Sequence, residues 1–208
     1  KLVFIIFKKT EIYSIIIMVK KVNYPNGIKK TFKINTANRG MSLENDLNDT
    51  NNYYRNHDIA IIYKKPTPIT INKVDYKARN DAVIKEAHFI VPSTTDYNGV
   101  YKGNYIDFEA KETRKNYFPL SNIHNHQIEH LRKIKKCGGI GFIIVKFSLS
   151  NEVYLLEIDK LDKFLDNSKR KSIPKEYFVN EGYLIKQGYN PYLDYLKIID
   201  IIRSDENE

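Results

Sequence analysis

The segment Tyr105-Ile106-Asp107-Phe108-Glu109-Ala110-Lys111 alternates apolar and charged residues without a break after its first residue. Successive side chains on a β-strand point to opposite faces. A strand here turns Ile106, Phe108 and Ala110 one way and Asp107, Glu109 and Lys111 the other. A helix would scatter the same residues around its circumference. The pattern therefore commits the chain to a sheet with one face in a core and carboxylates with a lysine on the other. Asp96 lies thirteen residues upstream of Glu109, with turn signals at Asn98-Gly99 and Lys102-Gly103-Asn104 between them. A local excursion of this kind brings Asp96 back beside Glu109.

Two carboxylates near one lysine suit a hard cation such as Mg2+, which takes oxygen ligands and keeps part of its water shell. Asp96 and Glu109 are the candidate ligands, and Lys111 can stabilise charge on a phosphoryl oxygen facing the same site. The chain carries 34 Lys and Arg against 25 Asp and Glu, a formal charge of +9. Such a surface favours polyanions. Together these features point to metal-dependent cutting of a nucleic-acid backbone. The bland reading is a solvated Glu-x-Lys pair, with Lys111 bridging Glu109 or Asp107. Glu112 falls on the opposite strand face and ranks lower.

Residues 124–136 read as a helix with Ile128, Leu131 and Ile134 on one side and Gly138-Gly139 after its end. His126 and His130 share a face at i, i+4 spacing, and His124 stands at the helix start. Zinc binding, helix capping or core edging, and DNA contact are the open readings for these histidines. If the acidic strand packs beside this helix, the Gln127 amide could reach a scissile phosphate. Tyr53, Tyr54, Tyr97, Tyr101 and Tyr105 can stack on exposed bases or serve as packing residues with satisfied hydroxyls.

A length of 208 residues with 42% apolar content suits one domain, or one domain with an insertion. The single cysteine, Cys137, excludes an intramolecular disulfide and reads as an inert thiol. The apolar runs Leu2 to Phe7 and Ile15 to Met18 fall well short of the roughly 20 residues a membrane span requires. Met18 is an internal candidate start, so residues 1–17 read as an upstream or non-native extension, or else as an added strand or membrane-affine peptide. Residues 19–37 read as a mobile basic arm. Ser42 caps a helix over 43–55. Ile59 to Tyr63 is a buried strand that Pro66 and Pro68 bring to an end. Residues 69–91 read as a projecting insertion between core strands. Strands are expected over 140–147 and 153–158, a short helix over 159–167, an aromatic loop-rich stretch over 172–189, and a terminal helix over 191–202. The boundaries are an extension and arm at 1–37, a nuclease domain at 38–202 and a polar tail at 203–208.

Three runs carry a family resemblance: Asn38-Arg39-Gly40-Met41-Ser42-Leu43-Glu44, the stretch from Pro92 to Gly103, and Tyr105-Ile106-Asp107-Phe108-Glu109-Ala110-Lys111-Glu112-Thr113. They resemble the RecU family of Holliday junction resolvases. The resemblance implies an α/β fold, with a restriction-endonuclease-like core whose central mixed β-sheet is flanked by helices and carries a protruding stalk at about 65–91. It implies a homodimer that cuts four-way junction DNA by paired nicks with Mg2+, or Mn2+ as a substitute. Asp96 and Glu109 become metal ligands and Lys111 the catalytic lysine, with Glu44 and Gln127 as accessory active-site residues. Arg79 matches a stalk arginine that engages the junction, with Lys73, Lys77 and Lys85 as further DNA contacts on the stalk. It further implies a cytoplasmic, nucleoid-associated protein with no membrane role, and as partners the RecA recombinase and a branch-migration helicase. The basic stretch before Asn38 is shorter than in typical relatives when counted from Met18, which weakens the expectation of arm-dependent DNA binding. The alternatives are a non-catalytic junction-binding protein that modulates a recombinase, and a general endonuclease that cuts linear duplex.

Overall fold

Ser42 caps the first described helix. Its hydroxyl accepts the Asn45 N–H at 3.3 Å, and helix α1 (Leu43–Asn56) follows with Glu44 and Asp46 in its first turn, where the helix dipole favours them. The computed structural model describes residues 42–75, 83–89 and 94–205. The expected basic arm, the first resemblance run up to Met41, and Lys77 and Arg79 lie outside the described residues. Leu43, Leu47 and Tyr54 are buried on α1 as the spacing predicts, but so are Asp46, Thr50 and Asn51. These polar residues are docking points for distant chain. Thr50 Oγ1 accepts the Leu193 N–H at 3.2 Å, and Asn51 Oδ1 accepts the Tyr195 hydroxyl at 2.5 Å. Asp46 faces the buried Lys146 at 3.5 Å.

Strand β1 (Ile61–Lys64) leads into an antiparallel ribbon of its own, β2 (Ile69–Asp75) and β3 (Val83–Phe89). The chain then returns as β4 (Tyr97–Tyr101) and β5 (Asn104–Thr113). Lys102 and Gly103 join these two strands, both in the left-handed region at φ 47° and 78°. That is the backbone a two-residue hairpin needs. The expected turn at Asn98-Gly99 does not form. Both residues lie in mid-strand, and a Cβ on Gly99 would come within 2.0 Å of the Ile61 carbonyl oxygen on β1. Glycine serves close strand approach there. The short strand β6 (Tyr117–Pro119) and helix α2 (Asn125–Lys136) carry the chain across to β7 (Ile140–Phe147), which pairs parallel with β5. Parallel neighbours require such a crossover.

The chain continues through β8 (Glu152–Glu157), α3 (Ile158–Asn167), β9 (Ser172–Pro174), α4 (Lys175–Glu181), β10 (Tyr183–Leu184) and α5 (Leu196–Asp205). The central mixed sheet has the order β1-β4-β5-β7-β8-β10. One face packs against α1 and α5 through Leu47, Ile106, Phe108, Phe142 and Ile199, and the other against α2, α3 and α4 through Leu131, Ile143, Leu161 and Phe178. Burial on both sides explains the near-continuous apolar run of β7. Two further expectations change. The Ile59 to Tyr63 run belongs to an edge strand: Ala60 and Ile62 are buried, while Ile59, Ile61 and Tyr63 are exposed. The stretch over 172–189 holds α4 and two short strands, with Phe178 fully buried. No described helix is long and apolar enough to cross a membrane.

Candidate active site

The hairpin between β4 and β5 sets the geometry of the acidic site. Its pairs run Tyr101↔Asn104, Val100↔Tyr105, Gly99↔Ile106, Asn98↔Asp107 and Tyr97↔Phe108. The pairing ends there, and Asp96, the next residue out, lies close enough to Glu109 for its charge to act on it. On the core face, the last pair is a stack. Tyr97, Phe108 and Phe142 lie nearly parallel across β4, β5 and β7, with centroids 4.9 Å apart at each step. Each such contact contributes about 0.5–1.5 kcal/mol beyond area burial. The acidic row therefore sits against a rigid platform.

Asp96 is held by its Oδ2, which accepts the Ala110 N–H at 3.0 Å. Glu109 has no exposed surface, and no hydrogen-bond donor satisfies either of its carboxylate oxygens. Lys111 Nζ lies 2.5 Å from Oε1 as an ion pair, outside hydrogen-bond alignment. Burial pushes the Glu109 carboxyl up to about 7, the Asp96 charge pushes the same way, and Lys111 opposes both. A cleft of about 340 Å³ is lined by Glu44, Lys64, Asp96, Lys111 and Glu112 among others, while the fully buried Glu109 is not part of its lining. Glu44 reaches the cleft from the first turn of α1 and pairs with Lys64 at 2.5 Å. Glu112, ranked low from its strand face, accepts the Leu43 N–H at 3.4 Å and the Ser148 hydroxyl at 2.7 Å.

Other candidates are placed differently. Gln127 does not line the cleft; its Oε1 accepts the His124 N–H at 2.9 Å, at the start of α2. The rings of His124 and His126 stack at 5.4 Å, and His130 Nε2 lies 3.2 Å from Asp107. Tyr54, Tyr97 and Tyr101 are buried, with their hydroxyls donating to Asp194, Asn48 and Asp200. Cys137 is exposed at the end of α2. On the ribbon, Lys73 is cross-strand from Glu86, and Lys85 lies 3.6 Å from Asp75.

Asp107 shares a strand face with Glu109 but not its state. It too is fully buried, yet it receives Lys65 Nζ at 2.7 Å, the Tyr105 hydroxyl at 3.0 Å, the Thr95 hydroxyl and the His130 ring. Sequence reasoning missed Lys65 and Thr95. The signal available was the bare fact that a second buried carboxylate needs its own donors.

The residues fit a small hard cation. Glu109 presents two buried oxygens, one of them ion-paired with Lys111, and the Asp96 carboxylate is close enough for its charge to act on Glu109. Among the described residues no group of three or more His, Cys, Asp or Glu could hold a metal. Two carboxylates leave the remaining positions to water and substrate phosphate, as magnesium sites commonly do.

Residues 38–201 match the sequence profile of the RecU family, Recombination protein U. Curated relatives described as Holliday junction resolvase RecU include those of Bacillus cytotoxicus and Bacillus anthracis. Each is 51% identical over 195 residues, covering 87% of this chain and 98% of the relative. Among solved structures, Hjc from Archaeoglobus fulgidus, described as a Holliday junction resolvase, is similar at 12% identity with a TM-score of 0.34. That overlap covers 44% of this chain and 72% of Hjc.

Proposed function

The chain belongs to the RecU family and is thereby a junction-resolving endonuclease, and from that premise we propose that it hydrolyses one phosphodiester per protomer at a four-way DNA junction, with Asp96, Glu109 and Lys111 as its reacting set. The observation that carries this reading is a fully buried Glu109 carboxylate close enough to Asp96 to feel its charge, with Lys111 2.5 Å away. Asp96 and Glu109 would hold Mg2+, for which Mn2+ can substitute. Such an ion supplies positive charge against the phosphate and makes water a better nucleophile. Lys111 places a cation where charge develops on the phosphoryl oxygens. Glu44, on the cleft wall with Lys64, orients groups at its rim. Gln127 acts indirectly, by fixing the start of α2 against β5.

A four-way junction has approximate two-fold symmetry, which a C2 homodimer matches. Two sites then nick strands of like polarity, leaving ligatable ends. The β2–β3 ribbon, with Lys73 and Lys85, enters the open centre and selects junction over duplex by shape, and the sequence between its strands supplies Lys77 and Arg79 as further DNA contacts. Phosphate contacts supply affinity without reading base sequence. Work at the nucleoid alongside the RecA recombinase and a branch-migration helicase belongs to the same reading, on family membership alone.

The test is a labelled mobile four-way junction and a matched linear duplex, each with and without Mg2+. Paired, ligatable nicks in the junction alone, lost on chelation and in Asp96→Ala, are expected. Tight binding without cutting would favour a non-catalytic junction binder. Cutting that survives Asp96→Ala would sink the assignment of the reacting set.

A further inference from the structure

The buried cluster around Asp107 takes no part in the proposed chemistry, yet it joins both legs of the β2–β3 ribbon to the strand that carries Glu109. Lys65 stands on the outgoing leg, one residue past β1. Thr94 and Thr95 stand on the returning leg, just before Asp96 and β4. Lys65 Nζ donates to Asp107 Oδ2 at 2.7 Å, to Thr95 Oγ1 at 2.5 Å and to Thr94 Oγ1 at 3.2 Å. The Thr95 hydroxyl in turn donates to Asp107 Oδ1. Tyr105 and His130 close the remaining sides, from β5 itself and from α2. The Lys65 backbone N–H also donates to the Asp96 carbonyl at 2.7 Å. Asp96 is thus pinned twice: its carboxylate by Ala110 and its backbone by the residue whose ammonium reaches Asp107.

Burying a carboxylate and most of a lysine is costly in desolvation, and apolar residues of the same volume often serve stability as well. What such a pair contributes is a fixed geometry. We propose that Lys65, Thr95 and Asp107 are positioning residues that clamp both legs of the ribbon onto β5 and so hold Asp96 against Glu109. The inference rests on the reading that Asp96 and Glu109 are the reactive carboxylates. It adds that the ribbon's base and the cation site are one mechanical unit. A displacement of the ribbon on a junction is then felt at Asp96 through Lys65, which is bonded to both.

The full chain with Lys65→Met keeps the backbone N–H and removes the ammonium. Lys65→Met/Asp107→Asn also removes the charge left behind, so that one of the two folds if burial of an unpaired carboxylate unfolds the other. Three readouts are taken on whichever is folded by thermal melt: junction affinity in chelator, single-turnover cleavage of bound junction, and Mn2+ affinity of DNA-free protein by calorimetry. The expected result is junction affinity close to wild type, with cleavage and Mn2+ affinity each reduced by about 10–100-fold, the range for groups that support metal ligands. Lys65→Arg restores part of both. A role in stability alone would lower the melting temperature and leave Mn2+ affinity intact, and that outcome overturns the proposal. Asp96→Ala separates the two levels. If it still cuts, the reacting set is wrong. If it is dead while both Lys65 variants cut and bind Mn2+ as wild type does, the clamp is wrong.

Discussion

Glu109→Gln should stabilise the metal-free protein at neutral pH while removing its cation binding. The carboxyl is raised from 4.5 to about 7 in the folded state, chiefly by burial. Between those values the folded protein holds a proton that the unfolded chain releases. Wild-type stability therefore falls as pH rises from about 4.5 to about 7 and levels off above. At about 1.4 kcal/mol for each tenfold change in proton affinity, that rise sets the loss at about 3–4 kcal/mol. Glutamine fills nearly the same volume, does not titrate, and brings an amide that can donate to Asp96. The rise to about 7 already contains the opposing attraction of Lys111, so losing that ion pair takes nothing further from the difference. The gain is about 3–4 kcal/mol above neutrality, or about 6–16 °C in Tm for a chain of this size. Urea melts in EDTA at about pH 5 and about pH 8 test it: the two proteins should converge at the lower pH, and the variant should exceed wild type at the higher. Excess Mg2+ should then raise wild-type stability by linkage and leave the variant unmoved. A wild-type stability in EDTA that stays flat or rises across this window relative to the variant would refute the reasoning.

Three further outcomes follow from the packing and the ribbon. Gly99→Ala places a Cβ 2.0 Å from the Ile61 carbonyl oxygen and must push β1 off β4, costing about 1–3 kcal/mol in a denaturant melt. Lys146→Met removes the cation that faces buried Asp46 at 3.5 Å and should cost about 3–5 kcal/mol, most of it recovered in Lys146→Met/Asp46→Leu; a single variant as stable as wild type would contradict the buried pair. Lys73→Ala/Lys85→Ala on the ribbon should weaken junction binding with at most about two units less slope of log affinity against log salt. Binding and slope both unchanged would remove these residues from the DNA contact.

How far the site could be read from the chain depends on how local each constraint is. Asp96 close to Glu109 was legible because a two-residue turn at Lys102-Gly103 fixes every pair of the hairpin, and counting outward reaches both carboxylates. Asn98-Gly99 misled for a physical reason: the dipeptide that favours a tight turn is also what a strand uses when its neighbour comes too close for a side chain. The run from Ile59 to Tyr63 has the composition of a buried strand, but burial requires elements on both faces, and β1 ends the sheet. Asp107 and Glu109 mark the limit most sharply. Strand alternation puts both on one face, and both are fully buried. What separates them is supply. Lys65 arrives from 42 residues before Asp107 and His130 from 23 residues after it, and with Thr95 and Tyr105 they occupy one carboxylate. No donor in hydrogen-bond alignment reaches the other. Two acidic residues of equal burial thus become a structural anchor and a candidate cation ligand, and the difference lies in which distant donors the fold delivers to each.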